Sequence, residues 1–148
     1  MSTKINRPSL TALLLGLGGL IPFVGLSGLS VLTAGTHQQT LLFSLLAYGA
    51  TIISFLGAIH WGLTMMEPSP NSLRLVWGVI PSLIAWLSLI FSTQLGLAID
   101  CSILWICFFV DYNTYPNFNL SAWLKLRFVL TLIASVSLFT PLAFNYIQ

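Results

Sequence analysis

Charged side chains are nearly missing from this 148-residue sequence. It has five lysines and arginines and three acidic residues, so only 5% of its side chains are charged, whereas 57% are apolar. Soluble globular proteins carry charge on about a quarter of their residues. The composition, with a mean hydropathy of +0.95, excludes a soluble globule. It predicts a chain whose side chains face lipid or one another.

Clusters of like charge and enzyme motifs are also absent. The cations are dispersed along the chain, which argues against a nucleic-acid partner. No nucleophile elbow, phosphate-binding loop, zinc pattern or CxxC motif occurs, so no catalytic residue, metal site or required cofactor is indicated. Cys101 and Cys107 stand about 120° apart on a helix and are expected to fill space, not to pair.

What the sequence has instead is long apolar runs. A helix needs about 20 apolar residues to cross a bilayer core about 30 Å thick. Five such runs predict one all-α domain over residues 1–148, a compact bundle of transmembrane helices at about 9–32, 41–66, 74–91, 95–111 and 123–144. The first run is too long for a signal peptide, whose apolar part has about 7 to 15 residues. Its glycines and central Pro22 predict a kinked, closely packed first helix.

The cations mark alternate ends of these helices. They are Lys4, Arg7, Arg74, Lys125 and Arg127. The loops at 33–40 and 92–94, and the tail after Phe144, contain no lysine or arginine. Because cytoplasmic loops retain cations, the pattern predicts an inward N-terminus and an outward C-terminus. We expect a multi-pass inner-membrane protein, and the lack of a transit peptide favours a bacterial over a mitochondrial membrane.

Asp100 is the most unusual position, because it lies near the middle of the fourth predicted helix. An ionised carboxylate there costs about 2.5 to 3.5 kcal/mol, so Asp100 should face the bundle interior and be protonated or paired. It shares a helical stripe with Cys107 and Asp111. Asp100 is either a proton-accepting or ligand-binding position or a hydrogen-bonded structural acid.

His60 is the second unusual position, on a face of the second helix that also carries Thr64 and Glu67. This face is expected to meet the Asp100 stripe, where neutral His60 could hydrogen-bond Asp100, relay protons, or bind a metal or haem iron. The alternative is a packing residue with a satisfied ring. His37 falls in the opposite loop, which argues against a two-histidine haem site.

Two acids and three cations gather at the cytoplasmic helix ends: Glu67, Asp111, Arg74, Lys125 and Arg127. Arg127, at the start of the fifth helix, is expected to pair with Asp111 at the end of the fourth, and Glu67 is the next candidate. A guanidinium suits this place because it can hold a carboxylate while its stem lies along apolar neighbours.

Three blocks carry a family resemblance. They are LGLGGLIPFV at 15–24, FLGAIHWG at 55–62 and WLKLRFVLT at 123–131. Together they resemble the signature blocks of the domain-of-unknown-function family 3429, which has bacterial inner-membrane and mitochondrial members. The resemblance covers nearly the whole chain and implies a five-helix fold but no established reaction. By this resemblance the signature positions are His60, Trp61, Gly62, Asp111, Trp123 and Arg127, and Asp100 is not among them.

The main functional hypothesis is an accessory or assembly protein that binds other membrane components, since the chain has no aqueous domain and has a glycine-rich helix suited to helix contact. Its expected partners are the lipid bilayer and other membrane proteins. One alternative is a proton or small-solute pathway through Asp100 and His60. The other is binding of haem or quinone between the first, second and fourth helices.

Overall fold

The chain folds as an all-helical bundle. The computed structural model describes residues 7–145, and these contain α-helices and short 3-10 turns but no strand. The α-helices are α1 (Leu10–Gly18), α2 (Ile21–Leu32), α3 (Thr36–Met65), α4 (Ser72–Ser88), α5 (Thr93–Thr114) and α6 (Leu124–Asn145). The five predicted transmembrane helices are thus present, the first of them divided into α1 and α2.

The division between α1 and α2 falls at a glycine pair, not at Pro22. The helix stops after Gly18, and Pro22 is in the first turn of α2, where a missing backbone N–H leaves no hydrogen bond unmade. The Tyr48 hydroxyl on α3 donates to the exposed Gly19 carbonyl at 2.8 Å. The first helix is therefore interrupted in the turn before Pro22, whose ring has no N–H to bond to the Gly18 carbonyl, as the sequence predicted.

Within residues 7–145, four segments are long and apolar enough to cross a membrane: 10–32, α3, 93–118 and 121–144. The helix α4 has 17 residues and is shorter, and at about 1.5 Å per residue it reaches roughly 25 Å. Two 3-10 turns, Tyr115–Phe118 and Ser121–Trp123, connect α5 to α6, with Asn119 in the left-handed conformation between them.

The core lies around α3, which packs against α2, α4 and α5. Its fully buried side chains include Leu45, Leu46, Ile53, Leu97 and Leu138. Large apolar side chains also cover the outside of the bundle, among them Leu14, Phe55, Leu83, Phe109 and Phe139. A surface of this kind is stable only against lipid or another apolar protein surface, so the chain is a multi-pass membrane protein.

Candidate functional site

A buried carboxylate, Asp111 on α5, joins three helices near one end of the bundle. Its Oδ2 accepts a hydrogen bond from Nε of Arg127 on α6 at 2.7 Å, and Nη2 of the same guanidinium lies 2.7 Å from that oxygen. Its Oδ1 accepts from Nε2 of His60 on α3 at 3.0 Å. Both carboxylate oxygens are therefore engaged, and the predicted pairing of Arg127 with Asp111 is confirmed.

The contact with Asp111 fixes the tautomer of His60. Because an ionised carboxylate only accepts hydrogen bonds, the bonded nitrogen Nε2 carries a proton, and a neutral ring then has its lone pair on Nδ1. Nδ1 is buried without a hydrogen-bond partner among residues 7–145. The Trp77 ring stands nearly perpendicular to the imidazole at 6.4 Å between ring centres. His60 is thus held in place as a donor to Asp111.

The network of Asp111, His60 and Arg127 is buried from solvent. Asp111 and His60 are each 1% exposed and Arg127 is 8% exposed. Removing one partner of a buried pair leaves an uncompensated charge, at a cost of about 3 to 5 kcal/mol. The pair of Asp111 and Arg127 is neutral overall, so the arrangement is suited to fixing α3, α5 and α6 together.

Asp100 forms a separate polar cluster deeper along α5. Its Oδ1 lies 2.7 Å from the Ser88 hydroxyl on α4, and that hydroxyl also donates to the Ala85 carbonyl at 2.8 Å. A serine has one hydroxyl proton, so both contacts are satisfied together when a protonated Asp100 donates to Ser88. No cation of the described chain pairs with Asp100. A neutral carboxyl is also the form that membrane burial favours.

The two polar clusters do not join. Asp100 and Asp111 are separated by about 16 Å along α5, and Ile103, Leu104 and Phe108 are buried between them. His60 and Asp100 are both buried, as predicted. They do not hydrogen-bond to each other, so that hypothesis is wrong. His60 lies about 7.5 Å from the end of α3 and Asp111 about 4.5 Å from the end of α5, so these two are at similar depth.

The remaining sequence candidates are distributed along the same end of the bundle. Glu67 pairs with Arg74 at 2.7 Å, so it is not the partner of Arg127. Trp61 donates to the Leu75 carbonyl on α4 at 2.8 Å. Thr64 donates to the His60 carbonyl at 2.8 Å. Trp123 lines a cavity between α1, α3 and α6.

The site has little capacity for metal binding in the part of the chain that the structure describes. Residues 7–145 contain no group of three or more His, Cys, Asp or Glu side chains that could hold a metal ion. The Nε2 of His60 is committed to Asp111, and His37 is exposed at the start of α3. A haem iron would therefore have to bind His60 through Nδ1, the ring nitrogen that carries the lone pair.

The comparisons with known proteins agree with the fold. A family model described as "Protein of unknown function (DUF3429)" matches residues 8–143. The chain is 38% identical over 136 residues to "Transmembrane protein 69" of Xenopus tropicalis, covering 86% of this chain and 51% of that protein. It is 35% identical over 130 residues to "Transmembrane protein 69" of Mus musculus, covering 85% and 53%. The chain thus spans about half the length of these curated relatives. No solved structure matches.

Proposed function

The chain belongs to this family, DUF3429, and from that premise we propose that it is an accessory membrane protein that binds a transmembrane helix of another protein. The observation that carries the proposal is a run of glycines on the lipid-facing side of α1 and α2, where an added Cβ would have no neighbour within 4 Å among residues 7–145. We propose the bacterial inner membrane as its location, since the cation distribution follows the positive-inside rule that holds there.

Glycines inside the bundle are used for close contact between helices. A Cβ added to Gly57 on α3 would lie 2.6 Å from the Gly78 carbonyl on α4. A Cβ at Gly96 on α5 would lie 2.5 Å from the Ser88 carbonyl. In a membrane, where lipid tails are as apolar as side chains, such close backbone approach is a main source of helix association.

The glycines of α2 have no such neighbour. A Cβ at Gly25 or Gly28 would meet nothing within 4 Å, and the same holds for Gly18 at the end of α1. Gly25 and Gly28 are three residues apart on α2, which places them on one side of that helix, and Gly18 ends α1 just before it. This side therefore offers a backbone surface that the chain itself does not use.

A groove runs along the same surface. It has a volume of about 420 Å³ between α2 and α6 and is lined by Gly28, Ser27, Thr140 and neighbouring apolar residues. Its walls combine a glycine, hydroxyls and exposed apolar side chains, which are the residue types that recur where membrane helices meet. The groove and the open glycines together favour a helix as the occupant.

The test is a crosslink mapped to its partner. The exposed Val24 is replaced by a photo-crosslinking residue, and the variant is expressed in a bacterial host that contains the membrane proteins with which the chain naturally occurs. This variant should give one discrete adduct, and its crosslink should map to a transmembrane helix of a second protein. Gly28→Leu should reduce that adduct at least about tenfold, because a side chain there keeps the two backbones apart.

The control is Ala98→Leu, which adds similar bulk at an exposed position of α5 and should leave the adduct unchanged. Both variants should retain the thermal stability of the parent chain in detergent, because Gly28 is surrounded by open space. Adducts only with lipid, or only with further copies of this chain, would contradict the proposal.

A further inference from the structure

The bundle also has a cavity that is separate from the surface formed by Gly18, Gly25 and Gly28. An apolar cavity of about 350 Å³ lies between α1, α3 and α6, within the range of about 300 to 1,000 Å³ typical of small-molecule sites. Its lining runs from Trp123, in the 3-10 turn before α6, to Ala134 on α6, a distance of about 16 Å at helical rise. This is about half the thickness of a bilayer core, or one leaflet.

One wall of the cavity is only loosely attached. The helix α1 contributes Ala12, Leu15 and Gly16 to the lining, yet none of its residues is buried. Its contacts with the rest of the bundle are made mainly with α6. An amphiphile in the surrounding lipid therefore has a lateral route between α1 and the bundle.

The polar groups of the cavity are concentrated on α6. Thr131 lines the cavity and is 1% exposed, yet its hydroxyl has no hydrogen-bond partner in the described chain. Other hydroxyls in these helices donate to the carbonyl four residues earlier, for example Thr64 to His60 and Thr140 to Val136. Thr131 is an exception to the pattern that helical threonine usually follows.

Trp123 supplies a second unused donor at the end of the cavity. Its Nε1 is buried and unpaired among residues 7–145, and an indole N–H can only donate. The unused groups along this wall are thus a donor and a hydroxyl, which lie about 12 Å apart along the helix. A carbonyl oxygen complements either of them, but one oxygen does not reach both.

The charge at this end is already balanced. Arg127 also lines the cavity, but its guanidinium is paired with Asp111 and does not require an anionic ligand. An additional buried anion would disturb that neutral pair at the cost of desolvation. The complementary head is therefore uncharged.

We propose that this cavity binds a neutral amphiphile with a carbonyl-bearing head and a single hydrocarbon tail. The carbonyl accepts from the Thr131 hydroxyl, and the tail lies along α1 and α3 toward Phe23. Quinones with an isoprenoid tail and monoacylglycerols share this chemistry.

Binding to the purified chain in detergent tests the proposal with three probes: a decyl-substituted benzoquinone, monolaurin and dodecyl phosphate. At least one neutral probe should bind saturably and at least about tenfold more tightly than the phosphate. Thr131→Val should weaken its binding about threefold to tenfold, the effect of one hydrogen bond. The matched Thr140→Val, whose hydroxyl is used within its own helix, should leave binding unchanged.

Gly16→Leu fills the cavity from α1 and should abolish saturable binding of the neutral probe. Its control, Gly18→Leu, adds the same side chain where a Cβ meets nothing within 4 Å and should bind normally. Tighter binding of benzoquinone than of monolaurin would identify the quinone class, and the reverse would identify glycerides. Equal binding of dodecyl phosphate, or uptake that is not saturable and is the same in Thr131→Val, would overturn the proposal.

Discussion

At the scale of single residues, the Asp111 carboxylate links three helices through side chains alone. His60 and Arg127 approach it from α3 and α6 and take separate oxygens. Such a buried arrangement is weak evidence for high stability, because desolvation offsets most of the attraction between the charges. It is strong evidence for sensitivity to the loss of one partner.

A double-mutant cycle measures this sensitivity. Asp111→Asn and Arg127→Gln should each lower the free energy of unfolding by about 3 to 5 kcal/mol, because each leaves a buried charge unpaired. The double variant should lose about 1 to 3 kcal/mol less than the sum of the two. Chemical denaturation in detergent micelles gives all three values.

The pair of Glu67 and Arg74 provides the comparison. Its side chains are 25% and 15% exposed, and pairs that reach solvent are worth about 0 to 1 kcal/mol. Glu67→Gln and Arg74→Gln should therefore show little coupling. Additive effects at Asp111 and Arg127 would mean that the observed contact does not contribute to folding.

The sequence alone predicted one of these contacts and did not predict the others. Arg127 and Asp111 were predictable because both stand at helix ends separated by a short loop. The contact of His60 with Asp111 was missed because α5 was expected to end at Asp111, whereas it continues to Thr114. An acid that is paired with an arginine and hydrogen-bonded by a histidine can lie within a membrane helix, so it does not have to mark the end of that helix. The contact of Asp100 with Ser88 was not predicted, because it depends on how α4 and α5 rotate toward each other.

At the scale of elements, glycine sets how close the helices lie. The contact between α3 and α4 has Gly57 against Gly78, and Trp61 packs over Gly78. The sequence indicated close packing for the first helix, but it did not show which glycines are in contact. Spacing along one helix gives a face, whereas the matching position on the neighbouring helix depends on the fold.

Two alanine substitutions on α3 separate packing from helix propensity. Gly57→Ala should lower the free energy of unfolding by about 1 to 3 kcal/mol, because a Cβ there meets the backbone of α4 and the helices must move apart. Gly62→Ala, where a Cβ meets nothing within 4 Å, should be neutral or stabilise by up to about 1 kcal/mol, since alanine favours a helix. Equal effects at both positions would show that the close contact with α4 is unimportant for stability.

At the scale of the whole molecule, the bundle brings the cationic loops to one end. The Arg74 guanidinium, in the first turn of α4, lies over the Phe118 ring in the connection between α5 and α6, with its Cζ 4.8 Å from the ring centre. Arg127 lies at the same end through Asp111. The membrane class was predictable from composition, because a chain with so few charges cannot cover a surface in water, and the all-helical class was predictable from the five long apolar runs. The remaining cations are Arg7 and Lys125, which are exposed, and Lys4, which is outside the described residues.

We expect this end of the bundle to face the cytoplasm. Arg7 precedes α1, and two helical passages separate it from the start of α4, where Arg74 lies, so both belong to one side of the membrane. Because cations are retained in the cytoplasm, that side should be inside and the C-terminus outside. A fusion of alkaline phosphatase after Gln148 should be active in a bacterial host, whereas a fusion after Asn119, in the connection before α6, should be inactive. Fluorescent-protein fusions at the same two positions should give the opposite result. An active phosphatase after Asn119 together with an inactive one after Gln148 would reverse the topology, and every loop named here as cytoplasmic would then face outward.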